Sequence, residues 1–150
     1  QMAERDSLTE LYNRINFEKR VSKELLKEIS QNKSRAFIMI DVDNFKQVND
    51  SFGHDFGDIV LRAVAKILRS SFTEEDIIGR LGGDEFAVFI SKATSKKMIL
   101  EQVQKVCAKI STTFENKGEK VSISVTPENI QIMNKPQSED EEAITLEDFE

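Results

Sequence analysis

The chain has 150 residues, enough for one domain that buries its own core without covalent staples. Apolar residues make up 39% and charged residues 32%, the balance of a soluble globular protein, and no apolar run nears the ~18 residues of a membrane span. Seven of the 27 acids fall between Gln137 and Glu150, so the remainder carries 20 acids against all 21 basic residues, a net of +1 that excludes a strongly basic DNA- or RNA-binding surface.

The lone Cys107 cannot form an internal disulfide and points to a reducing, cytoplasmic setting. Its place in an apolar helical stripe with Val103, Val106 and Ile110 makes it core filler rather than a nucleophile. No signal-peptide pattern opens the chain, and the first residue, Gln1, suggests a segment of a longer protein.

Phe17, Val21, Leu25 and Ile29 recur every four residues and predict an amphipathic helix from about Arg14 to Ser30. Ala36 to Ile40 is a short, wholly apolar run, as in a strand buried on both faces. A second helix is expected from about Phe56 to Ser70, with Phe56, Ile59, Val60, Ala63, Val64, Ile67 and Leu68 on one stripe. Ile77–Leu81 and Phe86–Ile90 flank Gly82-Gly83-Asp84-Glu85 and read as a hairpin. A third helix follows from Ser95 to Phe114, and Val121–Val125 alternates as a final strand. After the leading helix the order is βαββαβ, an α+β, ferredoxin-like antiparallel sheet with two helices on one face and an extra N-terminal helix.

The first strand and the hairpin strands are expected as neighbours at the centre of the sheet. That packing brings Asp41, Asp43, Asp84 and Glu85 to one edge, where their mutual repulsion favours a cation. All-oxygen ligands suit magnesium or manganese rather than zinc. The bland alternative is a pair of strand-end acids and a hairpin with a solvated acidic tip. A calcium loop fails, because Phe45 and Lys46 stand where an oxygen ligand and a glycine are needed. The segment 44–58 joins strand to helix. In it Lys46 suits a phosphate, the backbone at Asn44 and Phe45 offers amides, and Asn49 and Asp58 match the donor and acceptor edge of guanine. For Asp58 the alternative is a carboxylate favoured at a helix start. The sole histidine, His54, reads as a structural residue.

Asp41-Val-Asp-Asn-Phe-Lys, Asn49-Asp-Ser-Phe-Gly-His, Gly57-Asp58 and Gly79-Arg-Leu-Gly-Gly-Asp-Glu-Phe together resemble the GGDEF domain of diguanylate cyclases. Asp6-Ser-Leu-Thr-Glu-Leu-Tyr-Asn-Arg14 resembles that family's opening motif. The resemblance runs from about Asp6 to Val125. It implies a palm-type cyclase that condenses two GTP into cyclic di-GMP and two pyrophosphates, each of two facing domains holding one GTP. It further implies that Asp41, the Val42 carbonyl and Asp84 bind two Mg2+ or Mn2+ ions, and that Asn49 and Asp58 read guanine. Lys46 and the Asn44–Phe45 backbone would hold phosphates, Gly82 and Gly83 would make room for substrate, and Glu85 would assist with metal or the attacking hydroxyl. A sensor or regulatory domain is expected before Gln1, leaving open membrane anchoring of the parent protein.

Three departures accompany the resemblance. The family's product-inhibition motif, Arg-x-x-Asp, aligns here with Thr73-Glu-Glu-Asp76, so its arginine is missing. The closing Ser-x-Gly reads Ser122-Ile123-Ser124. The basic residues of a terminal helix are not found after Lys135. Residues 1–136 are therefore read as the GGDEF-like domain and 137–150 as an acidic tail leading to a missing helix. The alternative function is a catalytically inactive GTP-binding or regulatory interaction module.

Overall fold

A computed structural model describes residues 3–27, 34–93, 95–115 and 123–133. In chain order the elements are α1 (Arg14–Leu25), β1 (Ser34–Val42), α2 (Phe45–Phe52), α3 (His54–Ser71), β2 (Ile77–Arg80), β3 (Glu85–Ala93), α4 (Lys96–Glu115) and β4 (Val125–Met133). The four strands form one sheet in the order β2-β3-β1-β4, with every pairing antiparallel. This is the expected α+β, ferredoxin-like arrangement. Only β1 and β3 are central, however, and the hairpin strand β2 lies at the edge.

Alternation along the central strands sorts their side chains onto two faces. Ala36, Ile38, Ile40 and Val42 of β1, with Phe86, Val88 and Ile90 of β3, join the main core. Val60, Val64 and Leu68 of α3 and Ile99, Val103, Val106 and Ile110 of α4 close that core from above. Each such side chain removed from water contributes about 1.5–3 kcal/mol. Ala87 and Phe89 of β3 face the other way and pack with Phe17 of α1 and Ile77. Helix α1 therefore covers the opposite face of the sheet. Gly79 permits this approach, since a β-carbon there would stand 2.8–2.9 Å from the Phe17 side chain.

Several expected boundaries shift. α1 ends at Leu25, which is exposed, and Ile29 lies outside the described residues. Ile59, placed on the apolar stripe of the second helix, is also exposed. The segment 44–58, read as a connection, holds the two-turn α2 and the start of α3. The two helices are separated by Gly53, whose φ of +90° only glycine adopts readily. The closing strand starts where it was expected to end: Val121 and Ser122 lie outside the described residues, Ile123 and Ser124 precede the strand, and β4 runs on through Pro127. Pro127 is tolerated because β4 pairs on one side only and because the register slips beside it. Ile40 pairs with Pro127 but Met39 with Asn129. The tail 137–150 lies outside the described residues.

Candidate active site

The ends of the two central strands build the site. Asp41 and Glu85 are register partners on β1 and β3, and the Val42 amide donates to the Asp84 carbonyl at 3.1 Å. This pairing places Asp41, Val42, Asp84 and Glu85 at one edge of the sheet. Asp41, Asp84 and Glu85 are half-buried, and the Asp41 Oδ1 is shielded from solvent. Asp43 does not join them. Its amide donates to the Ser124 carbonyl, and its carboxylate accepts from the Ser124 hydroxyl at 2.7 Å and the Thr126 hydroxyl at 2.7 and 2.8 Å. The four-acid cluster is thus reduced, because β1 ends at Val42 and the Ser124 and Thr126 hydroxyls hold the Asp43 carboxylate against β4. Among the described residues, no group of three or more His, Cys, Asp or Glu side chains stands ready to hold a metal. Two carboxylates with a nearby main-chain carbonyl still suit a hard cation whose remaining positions are filled by water and phosphate, the usual habit of Mg2+.

Directly after β1 the chain turns through Asn44, whose φ of 53° is left-handed, and enters α2 at Phe45. Asn44 makes no side-chain cap, so the first amides of α2 are left to face an anion at the positive end of the helix. Lys46 lies exposed in that first turn. On α2 and α3, Asn49 and Asp58 are both half-buried. The Asn49 Oδ1 is buried without a hydrogen-bond partner among the described residues and rests against Gly57, where any β-carbon would collide with it. Gly57 therefore lets the helix pair close and sets Asn49 against the start of α3, one residue before Asp58. His54 is exposed at the start of α3.

The turn itself is held from outside. Gly82 and Gly83 are exposed, neither has a positive φ, and a β-carbon on Gly83 would meet nothing within 4 Å. Neither backbone strain nor packing among the described residues explains the missing side chains. Arg80 reaches over the turn, with Nε donating to the carbonyls of Gly82 and Gly83 at 3.1 Å each and a terminal nitrogen to Gly83 at 2.8 Å. Its other terminal nitrogen binds both oxygens of Asp6 at 3.1 Å. Asp6 also accepts from the Thr9 amide and hydroxyl. Tyr12 bridges to Gly79 on the open side of β2.

A protein-family model described as "Diguanylate cyclase, GGDEF domain" matches residues 3–145. The chain belongs to the GGDEF domain family. Diguanylate cyclase TpbB of Pseudomonas aeruginosa is 37% identical to this GGDEF domain over 147 residues, 97% of the chain but 33% of the relative. The probable diguanylate cyclase DgcC of Escherichia coli is 38% identical over 98 residues, 65% of the chain and 26% of the relative. The domain thus spans a third or less of the length of these curated relatives. Among solved structures, the isolated GGDEF domain of TpbB superposes with a TM-score of 0.70 at 36% identity, covering 85% of this chain and 74% of that one. The DgcB GGDEF domain of Caulobacter crescentus, solved with c-di-GMP, shares the fold at a TM-score of 0.78 and 23% identity, covering 92% and 81%.

The residues that sequence reasoning missed are supports. Arg80 and Asp6 stand within the matching motifs with no role implied for them, and nothing local in the sequence marks the Ser124 and Thr126 hydroxyls as partners of Asp43. Cys107 behaves as expected. It is half-buried against the core, and burial, followed by the nearby Asp43 charge, pushes its thiol up to about 11. No helix among the described residues is long and apolar enough to cross a membrane.

Proposed function

We propose that this domain condenses two GTP molecules into cyclic di-GMP at the interface of two facing copies, releasing two pyrophosphates. The observation that carries the reading is the junction of β1 and β3, where Asp41, Val42, Asp84 and Glu85 stand together beside the uncapped start of α2. Asn49 and Asp58 hold the guanine edge, giving the site its base preference. The α2 amides at Phe45 and Lys46, with the Lys46 ammonium, hold the β- and γ-phosphates. The open face over Gly82 and Gly83 admits the ribose and α-phosphate.

Asp41, the Val42 carbonyl and Asp84 would hold Mg2+ or Mn2+, two ions per site, which neutralise phosphate charge and raise the acidity of the attacking hydroxyl. Glu85 takes the proton of the 3′-hydroxyl. The hydroxyl oxygen then bonds to the α-phosphorus of the other nucleotide, and the bond from that phosphorus to the bridging oxygen breaks, releasing pyrophosphate. Two such steps close the ring. The parent protein couples this domain to a covalently linked regulatory domain and keeps the domain on the cytoplasmic side.

Incubation with GTP and Mg2+ or Mn2+ tests the reading: cyclic di-GMP and two equivalents of pyrophosphate are expected. Asp84→Ala is expected to abolish turnover, a loss of at least about 100-fold, with an unchanged circular dichroism spectrum. GTP binding without any dinucleotide product would leave a non-catalytic nucleotide-binding module instead.

A further inference from the structure

The peptide groups of the Gly82–Asp84 turn have a fixed direction, and Arg80 sets it. In a trans peptide the carbonyl and the following amide point in opposite directions. The guanidinium of Arg80 draws the carbonyls of both Gly82 and Gly83 to itself, at 2.8–3.1 Å. The amides of Gly83 and Asp84 must then face away from it. The next carbonyl, that of Asp84, is held by the Val42 amide at 3.1 Å, so the turn is pinned on both sides. Among the described residues, a β-carbon on Gly83 would meet nothing within 4 Å and one on Gly82 only the Glu85 side chain, at 3.7 Å. Consecutive amides turned the same way, beside glycines that carry no side chain, can bind an anion.

Asp6 keeps the guanidinium in this position. Both of its oxygens bind one terminal nitrogen of Arg80, and the pair is largely enclosed, at 17% and 21% side-chain exposure. The Arg80 charge is therefore balanced within the chain and is not offered to a phosphate. Asp6 is in turn fixed by Thr9 and by its own amide on the Leu11 carbonyl.

We propose that Arg80 is a positioning residue that turns the Gly83 and Asp84 amides toward a phosphate oxygen of the bound nucleotide, and that Asp6 holds it in that pose. The proposal rests on the GTP-condensing reading above. Two measurements keep the two ideas separable. In the first, Arg80→Ala, Arg80→Lys and Asp6→Asn are assayed for kcat and KM with GTP below their melting temperatures. Arg80→Ala is expected to lower kcat about 100-fold with KM within about threefold, because misaimed donors fail as charge develops on the phosphate. Arg80→Lys keeps a charge and a donor and should recover about tenfold of that loss, with Asp6→Asn falling between it and the wild type. Wild-type kcat in Arg80→Ala, or a loss confined to KM, would overturn the proposal. The second measurement needs no turnover. Amide 1H–15N spectra of the wild type and of Asp6→Asn and Arg80→Lys are recorded with an α,β-methylene GTP analogue. The Gly83 and Asp84 resonances should shift with the analogue in the wild type and respond less in the variants. Equal responses in all three proteins would sink the role of Arg80 even if GTP condensation failed for other reasons.

Discussion

Asp6 shows how a single carboxylate ties the start of the chain to the candidate site. It lies 74 positions before Arg80 and meets it at 3.1 Å. Burial by itself would raise its pKa, but the Thr9 hydroxyl and amide and the Arg80 guanidinium outweigh that effect and hold it below the ordinary carboxylate value of 3.8. A carboxylate depressed in the folded state stabilises fully above its unfolded pKa, and the stabilisation fades as pH falls through the folded value. Asp6→Asn should therefore cost about 1–2 kcal/mol at pH 7, where hydrogen bonds to a charged group are lost. The gap between variant and wild type should narrow as pH falls below about 4. Denaturant unfolding at pH 7 and pH 3 checks this, and a gap of the same size at both would show that the charge on Asp6 is immaterial.

Among the elements, the turn before β2 is where product feedback can be tested. Thr73 stands where the related product-inhibition motif carries arginine, and here it engages the remaining aspartate. The Thr73 amide and hydroxyl donate to the Asp76 carboxylate at 2.9 and 3.1 Å, and the Asp76 amide returns a bond to the Thr73 carbonyl at 3.1 Å. A carboxylate closed into its own turn, with no arginine beside it in the motif, is poorly placed to grip a cyclic dinucleotide. Calorimetric titration with cyclic di-GMP should show no tight binding through this turn, and Thr73→Arg should strengthen it. Submicromolar binding that survives Asp76→Ala would place the product elsewhere on the domain. The elements themselves were unequally legible. Long apolar periodicities in α3 and α4 announced themselves. In contrast, α2 shows only Phe45, Val48 and Phe52 at helical spacing among polar residues, too short a pattern to stand out. β4 was obscured by Pro127, which argues against a strand unless the strand has a free edge.

For the whole molecule, the acids at the site could be read from their places beside apolar strands, because strand ends converge wherever central strands pair. Their supports could not: the pairing of Arg80 with Asp6, and of Asp43 with Ser124 and Thr126, spans 74 to 83 residues, which no local pattern encodes. On the proposed reading, the domain has one guanine-reading pair, Asn49 with Asp58, and one start of α2 to hold a triphosphate. If the proposed condensation of two GTP holds, it requires two domains, each presenting its nucleotide to the other. Below the dissociation constant of that pair, the initial rate at saturating GTP should rise with the square of protein concentration, and it should become linear once the pairs are formed. Sedimentation velocity with GTP and Ca2+ in place of Mg2+ should show the dimer over the range where the rate law changes. A rate that stays linear down to concentrations at which the protein sediments as a monomer would mean that one domain binds both reacting nucleotides, and would overturn the facing arrangement.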